Sequence, residues 1–205
     1  MSIQLKDSGL LKTQAYIDGQ WVAGDNGATF DVHNPATGEL LATVASVGAA
    51  ETKRAIEAAE KAMVAWQALP AKSRADILER WYNLMLESQE DLAILMTAEQ
   101  GKPLFESRGE VGYGASFLKW FAEEGKRVYG DVLPSTADRR SIVIKQPVGV
   151  VAAITPWNFP NAMITRKVAP ALAVGCAIVL KPAAETPLSA LALAELGERA
   201  GLPAG

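Results

Sequence analysis

The chain has 205 residues, of which 49% are hydrophobic and 21% charged, with a formal net charge of −3. This is enough for one sizeable core, and the mild acidity argues against electrostatic binding of nucleic acid or an anionic membrane. No apolar run approaches the ~20 residues of a membrane span, and one cysteine with one histidine excludes a disulfide framework and all but excludes a structural zinc site. The single cysteine and an N-terminus without a signal-peptide pattern favour a cytoplasmic protein with no membrane or nucleic-acid partner.

Two antiparallel hairpins are predicted in the first 45 residues. Asp18-Gly19 separates the apolar triplets 15–17 and 20–22, and this dipeptide is the signal for a two-residue primed turn. A second pair of strands is predicted at 29–33 and 39–44, joined by a turn-rich stretch.

Four amphipathic helices follow, and their apolar stripes at helical spacing are interpreted as core rather than as a cofactor site. The predicted helices are 49–66, one with a capping box at Ser73-Arg74-Ala75-Asp76, 89–100 and 104–129. Three glycines in the last helix, Gly109, Gly112 and Gly114, weaken its intrinsic helix propensity. We expect them to permit close packing against a neighbouring element.

The C-terminal third has the pattern of a β-α-β unit, which places the chain in the α/β class. After a connector at 133–140 and an exposed strand at 141–146, an apolar run at 148–154 predicts a strand buried on both faces. A helix at 161–174 and a second buried strand at 176–180 complete the unit. A last helix is predicted with Thr186 as its N-cap and Gly201 at its end.

Three polar residues of this unit are candidates for chemistry, because ligands bind beyond the carboxyl ends of parallel strands. Asn158 could donate a hydrogen bond to an oxyanion, or it could simply cap the turn before the helix. Lys181 could reach ribose hydroxyls or a phosphate, or be a solvated lysine at a strand end. Arg166 could bind a substrate carboxylate, or be a solvated helix charge.

Other recognised signals are absent from the sequence or carry no role. Neither strand is followed by Gly-x-Gly-x-x-Gly or by a P-loop, so the usual nucleotide fingerprints are missing. Cys176 lies in an apolar context with no adjacent base, which is typical of inert packing, and His33 has no visible partner.

Taken together, several motifs resemble the aldehyde dehydrogenase superfamily. The stretch Thr155-Pro156-Trp157-Asn158-Phe159-Pro160 is followed later by Lys181-Pro182-Ala183, and 31–38, 99–103 and 170–173 agree as well. The resemblance covers nearly the whole chain from about Ala15. Two further stretches, 120–125 and 163–167, look like the succinate-semialdehyde dehydrogenase branch.

The resemblance implies a fold and a division of the chain. The fold would be the Rossmann-like cofactor-binding domain of the aldehyde dehydrogenases, incomplete. Residues 1–138 would supply N-terminal hairpins and helices, 139–148 a strand of the oligomerisation hairpin, and 149–205 the first β-α-β-α part of the core. The catalytic domain, with its nucleophilic cysteine, its general-base glutamate and the glycine-rich pyrophosphate turn, would lie beyond residue 205. The sequence ends where a helix stops and a turn begins, so we expect the chain to be part of a longer protein.

The resemblance also gives the candidate residues separate roles. Asn158 would stabilise the oxyanion, Lys181 would bind the adenosine ribose, and Arg166 would bind the distal carboxylate. The expected cofactor-binding residues are Ile154, Thr155, Pro156, Trp157, Asn158, Lys181, Pro182, Ala183 and Ala184, with no metal. NAD-preferring relatives often have a glutamate where this chain has Ala184, so the absent charge favours NADP, or use of both NADP and NAD.

The expected function is therefore that of part of an enzyme. The complete protein would oxidise succinate semialdehyde to succinate with NAD(P)+ and would self-associate as a dimer or tetramer, whereas this chain alone would be inactive. Two alternatives are a dehydrogenase for another aldehyde, such as glutarate semialdehyde, and a non-catalytic nucleotide-binding or oligomer-forming module.

Overall fold

The structure is a computed structural model that describes residues 3–205. After a 3-10 turn at Ser8–Leu10, the first two strands, β1 (Ala15–Ile17) and β2 (Gln20–Val22), form an antiparallel hairpin. Asp18 and Gly19 have φ angles of 51° and 72°, as a type I′ turn requires. A second antiparallel pair consists of β3 (Thr29–His33) and β4 (Leu40–Ala45). Both predicted hairpins are confirmed.

Four helices follow and supply about half of the buried hydrophobic core: α1 (Ala49–Ala68), α2 (Ala71–Glu87), α3 (Gln89–Gln100) and α4 (Leu104–Glu124). The predicted capping box is wrong, because α2 begins directly after Pro70 and Ser73 lies inside the helix. The helix predicted over 104–129 ends at Glu124, where a 3-10 turn, Gly125–Arg127, takes over. No helix within residues 3–205 combines the length and the apolar character needed to cross a membrane.

A short hairpin projects after α4. Strand β5 (Asp131–Leu133) pairs antiparallel with β6 (Ser141–Val143), and every residue of both strands is exposed. The strand predicted over 141–146 is therefore shorter than expected, and its partner is a strand that the sequence did not reveal. Three residues are too few to show a strand period, and the next residue, Pro134, is typical of a turn.

The predicted β-α-β unit is confirmed and consists of β7 (Val150–Ile154), α5 (Ala162–Ala173) and β8 (Ala177–Lys181), followed by α6 (Pro187–Ala200). The two strands are parallel neighbours, in a register that runs from Val150 opposite Ala177 to Ile154 opposite Lys181. The prediction that β7 is buried on both faces is wrong for residues 3–205, because Ala153 is buried whereas Ile154 is 72% exposed. The helices that pack on β7 and β8, α1 and α5, leave the Ile154 side uncovered.

Candidate functional site

The carboxyl ends of β7 and β8 lie side by side, as the sequence predicts. Ile154 is opposite Lys181, and the Thr155 N–H donates to the Lys181 carbonyl at 3.1 Å, which extends the pairing by one residue. Two loops leave this edge: the β7 loop, residues 155–161, and the β8 loop, residues 182–186. This is the edge at which open α/β sheets bind ligands.

Asn158 lies in the middle of the β7 loop and is exposed. The flanking rings of Trp157 and Phe159 are partly exposed. Across residues 3–205 the Asn158 amide has no hydrogen-bond partner. Its backbone carbonyl, by contrast, accepts a hydrogen bond from Lys102 at 3.1 Å. The side chain is therefore free while the backbone that carries it is held.

The N-cap residue of α5, Asn161, makes no capping hydrogen bond with its side chain, and the helix start is bonded instead by the side chain of Glu110. Its Oε1 accepts the N–H groups of Asn161 at 2.9 Å and Ala162 at 3.3 Å. A carboxylate in this position satisfies donors that a helix start leaves open and interacts favourably with the helix dipole. The close approach of α4 to α5 depends on Gly114, where a Cβ would lie 3.3 Å from the Ala162 nitrogen. Of the three glycines expected to permit close packing, only Gly114 faces backbone this closely.

Lys102 connects Glu110 to the β7 loop. Its ammonium donates to a Glu110 oxygen and to the Asn158 carbonyl, and it lies 4.0 Å from the centre of the Phe159 ring. These are a charge-assisted hydrogen bond, a hydrogen bond to backbone and a cation–π contact. Neither residue was assigned a role from the sequence. Glu110, a glutamate at a core-facing position of α4, is the one feature that could have indicated a buried polar contact.

Glu99 bonds to the start of α6, the helix that follows the β8 loop, as Glu110 bonds to the start of α5. The Glu99 carboxylate accepts the N–H groups of Leu188 and Ser189, both at 2.7 Å, in the first turn of α6. The predicted cap, Thr186, occupies the N-cap position, but its side chain makes no capping hydrogen bond. Glu99 is almost completely buried, and this burial raises its pKa to about 7.

The β8 loop presents a free cation beside small side chains. Lys181 is exposed, and its ammonium lies 3.3 Å from the carbonyl of the adjacent Pro182. No carboxylate in the described part of the chain is close enough to pair with it. Pro182 and Ala183 are half-buried, whereas Ala184 is exposed.

Arg166 lies on α5, which begins directly after the β7 loop. Its guanidinium is exposed and packs 5.1 Å from the centre of the Phe117 ring. Within the span 3–205 it forms no ion pair. Its Nη1 donates to the Met163 sulfur, a weak acceptor, at 3.9 Å, and its other N–H groups are left for an external acceptor.

Cys176 is buried just before β8, at the end of the sheet opposite to Asn158 and Lys181. His33 lies at the end of β3, outside the β-α-β unit. Nowhere in residues 3–205 do three or more His, Cys, Asp or Glu side chains form a group that could hold a metal ion.

Comparison with known proteins identifies the family. The sequence model described as "Aldehyde dehydrogenase family" matches residues 21–205. The chain belongs to the aldehyde dehydrogenase family. The glutarate-semialdehyde dehydrogenase of Pseudomonas aeruginosa is 66% identical over 204 residues, which cover 99% of this chain and 42% of that protein. The NADP(+) succinate-semialdehyde dehydrogenase of Escherichia coli is 63% identical with the same two coverages.

Solved structures agree with the predicted aldehyde dehydrogenase fold. An Escherichia coli protein described as an NADP-dependent enzyme superimposes with a TM-score of 0.97 at 63% identity, over 98% of this chain and 42% of that chain. The succinate-semialdehyde dehydrogenase of Burkholderia pseudomallei gives 0.96 at 61% identity, with the same coverages. The chain thus spans about 42% of the length of these relatives, and the expectation that it represents an N-terminal portion of such an enzyme is confirmed.

In this aldehyde dehydrogenase chain, the polar residues of the site fall into two groups. Asn158, Lys181 and Arg166 expose side chains that residues 3–205 do not neutralise. Glu99, Lys102 and Glu110 are instead bonded to the backbone of the β7 loop and of the helix starts that follow the two loops. The first group can bind a ligand, and the second can hold the first in place.

Proposed function

We propose that the complete protein containing this chain, called the complete enzyme below, oxidises an aldehyde with a distal carboxylate to the corresponding acid with NADP or NAD. Succinate semialdehyde is the first candidate substrate. The observation that carries the proposal is the free amide of Asn158 at the strand edge. Asn158 lies three residues before the N-cap of α5, Asn161, and Glu110 accepts the first N–H groups of the helix start, so the Asn158 amide can serve a ligand.

Asn158 would act on the carbonyl oxygen of the aldehyde. When a nucleophile attacks the carbonyl carbon, this oxygen gains negative charge, and a fixed amide N–H stabilises it by hydrogen bonding. The cysteine nucleophile and the general-base glutamate that the family implies would be supplied by residues beyond 205. This chain would contribute the oxyanion donor and part of the cofactor cleft.

The cofactor would lie across the ends of β7 and β8. Ile154, Thr155, Pro156 and Trp157 would line its nicotinamide end, and Lys181 would hydrogen-bond the adenosine ribose, flanked by Pro182 and Ala183. The residues fit this group, because an exposed ammonium lies next to a loop whose Ala184 adds neither bulk nor negative charge. The same features suit the extra phosphate of NADP. When bound, the cofactor accepts the hydride that the aldehyde carbon loses.

Arg166 would bind the distal carboxylate. Its guanidinium has no carboxylate partner within residues 3–205, and the Phe117 ring orients it for bidentate binding. The names of close relatives support this assignment, since succinate and glutarate semialdehydes both carry an acid group distant from the aldehyde.

The test is the steady-state kinetics of the complete enzyme with succinate semialdehyde and with butanal, an uncharged aldehyde of the same length. Arg166→Leu should raise KM for succinate semialdehyde roughly 10- to 100-fold, because a hydrogen-bonded charge pair is lost. It should change KM for butanal less than ~2-fold. Lys167→Leu, which removes a neighbouring positive charge whose ammonium bonds the Met163 carbonyl, is the matched control and should affect both aldehydes equally. Equal effects of Arg166→Leu on both aldehydes would argue against a carboxylate anchor.

Glutarate semialdehyde is a second candidate, favoured by the relatives of that name in Pseudomonas aeruginosa and Pseudomonas putida, at 66% and 64% identity. It is one methylene longer than succinate semialdehyde, and one methylene changes transition-state binding by about 1–3 kcal/mol. The ratio of kcat/KM for the two semialdehydes therefore decides between them.

A further inference from the structure

Lys102 and Glu110 form a buried ion pair whose cost needs an explanation. Their side chains are 9% and 1% exposed. Removing two charges from water is expensive, and a buried ion pair often stabilises a protein less than apolar residues of the same volume. Core stability alone is therefore a weak reason for this pair. In the described part of the chain, the other hydrogen bonds of these two side chains all go to residues 158–162.

The contacts fall on the chain from the Asn158 carbonyl to the start of α5. Lys102 holds the Asn158 carbonyl at 3.1 Å and the next ring, Phe159, at 4.0 Å. Glu110 holds the N–H groups of Asn161 and Ala162. The backbone is thus held at Asn158 and at the start of α5, whereas the Asn158 amide makes no hydrogen bond within residues 3–205.

We propose that Lys102 and Glu110 are a positioning pair that aims the Asn158 amide at the reacting carbonyl oxygen. The inference rests on the proposed function, because it assigns a task to the residues that hold the proposed oxyanion donor. An oxyanion donor acts only when it is aligned in advance, and a misplacement of about 1 Å can lower the rate roughly 100-fold. Neither Lys102 nor Glu110 would touch the substrate.

A second lysine–glutamate pair, which also includes one residue of α4, provides the control. Lys119 on α4 pairs with Glu79 on α2, but the two side chains are 43% and 44% exposed, and neither bonds to the β7 or β8 loop. Lys102→Met and Lys119→Met therefore remove the same charge and the same kind of ion pair. They differ in burial and in whether the pair holds Asn158, and the Asn158→Ala background separates these two differences.

The experiment measures kcat and the Kd for NADP of the complete enzyme. Lys102→Met should lower kcat roughly 10- to 100-fold and change Kd less than ~2-fold, whereas Lys119→Met should leave kcat unchanged. Lys102→Arg, which keeps the charge and the donors, should restore most of kcat. In an Asn158→Ala background, Lys102→Met should lower kcat by no more than ~2-fold further, because the donor that it positions is already gone. A crystal structure of Lys102→Met should show Asn158 displaced, with the rest of α5 unchanged.

Each contrary result has a distinct meaning. Additive losses of kcat in the double variant, or an unmoved Asn158 in the Lys102→Met crystal, would overturn the positioning role. An Asn158→Ala enzyme with normal kcat, or a complete enzyme that oxidises no aldehyde, would instead refute the proposed function. If Lys102→Met fails to fold, Phe159→Leu replaces it, because Phe159 is partly exposed and its loss removes one contact of the Lys102 ammonium. The same non-additivity with Asn158→Ala is then expected, and additive losses would overturn the role.

Discussion

From the sequence, the Asn158 amide could cap or brace the start of a helix, or it could serve a ligand. In the structure Asn158 lies three residues before the N-cap of α5, Asn161, and the first backbone N–H groups of the helix start bond to Glu110, which is remote in sequence. Asn158 therefore keeps an unpaired, exposed amide within residues 3–205. A similar reading applies to Lys181 and Arg166, whose charges no side chain within residues 3–205 neutralises.

Position 184 should control cofactor choice. Ala184 is exposed in the β8 loop close to Lys181, and it is followed by Glu185. Ala184→Glu would add a negative charge where we place the 2′-phosphate of NADP, and should lower kcat/KM for NADP roughly 10- to 100-fold while sparing NAD. Ala184→Gln, of similar size without the charge, is the control and should change the NADP/NAD ratio much less. If Ala184→Glu leaves the ratio of kcat/KM for NADP to that for NAD unchanged, this placement of the 2′-phosphate is contradicted.

At the scale of elements, the segment 99–110, from the end of α3 into α4, bonds to the β7 loop and to the helix starts that follow both loops of the site. Glu99 at the end of α3 caps α6 behind the β8 loop, and Lys102 with Glu110 holds the β7 loop. The regions around the β7 loop and the β8 loop are therefore held by the same segment, residues 99–110, although α5 is what connects β7 to β8 along the chain. This explains how a short stretch remote from β7 and β8 in sequence can influence the site.

Glu99 should make stability depend on pH. Burial raises its pKa from 4.5 to about 7, so between these values the folded state holds a proton that the unfolded state has released. The Glu99 contribution is therefore fully present below about pH 4.5 and falls as pH rises to about 7, by about 3 kcal/mol in the free energy of unfolding.

Glu99→Gln removes this titration, so Tm of the wild type relative to the variant should decrease across the same window. Glu106→Gln, which alters an exposed glutamate in the first turn of α4, should give a profile parallel to that of the wild type. Parallel profiles for Glu99→Gln as well would show that Glu99 keeps an ordinary pKa in the folded protein.

What the sequence predicts well here is local. The β-α-β unit follows from apolar runs and turn residues, and the strand edge with Asn158 and Lys181 follows from the parallel pairing. Glu99, Lys102 and Glu110 escaped prediction because their partners lie 50 to 90 residues away: 56 separate Lys102 from Asn158, and 51 separate Glu110 from Asn161. The role of such a buried charged side chain depends on the backbone groups to which it bonds, and only the folded structure shows which groups these are.

At the scale of the whole molecule, the chain is compared with the length of its relatives and with the set of groups that the proposed reaction needs. The chain spans about 42% of the length of its relatives. Its sheet edge exposes Ile154 and Trp157, which are 72% and 52% accessible, and such apolar surface is usually covered by further chain or by a partner. The proposed nucleophile and general base are not among these residues.

The polypeptide 1–205 by itself should therefore have no aldehyde dehydrogenase activity, and its exposed apolar edge should lead it to aggregate. NADP reduction assayed with succinate semialdehyde, together with sedimentation of the purified polypeptide, checks both expectations. Any turnover by pure material would show that the catalytic groups lie within this chain. Tight NADP binding by a soluble, inactive polypeptide would favour a non-catalytic nucleotide-binding module.

The central claim is that the Asn158 amide stabilises the oxyanion, and the kcat of the Asn158→Ala complete enzyme tests it most directly. With saturating succinate semialdehyde and NADP, kcat should fall roughly 100- to 1,000-fold, as expected for the loss of an oxyanion donor. The Kd for NADP and the Tm should stay close to those of the wild type, since the amide bonds to nothing within residues 3–205. A variant that keeps the wild-type kcat would contradict the account.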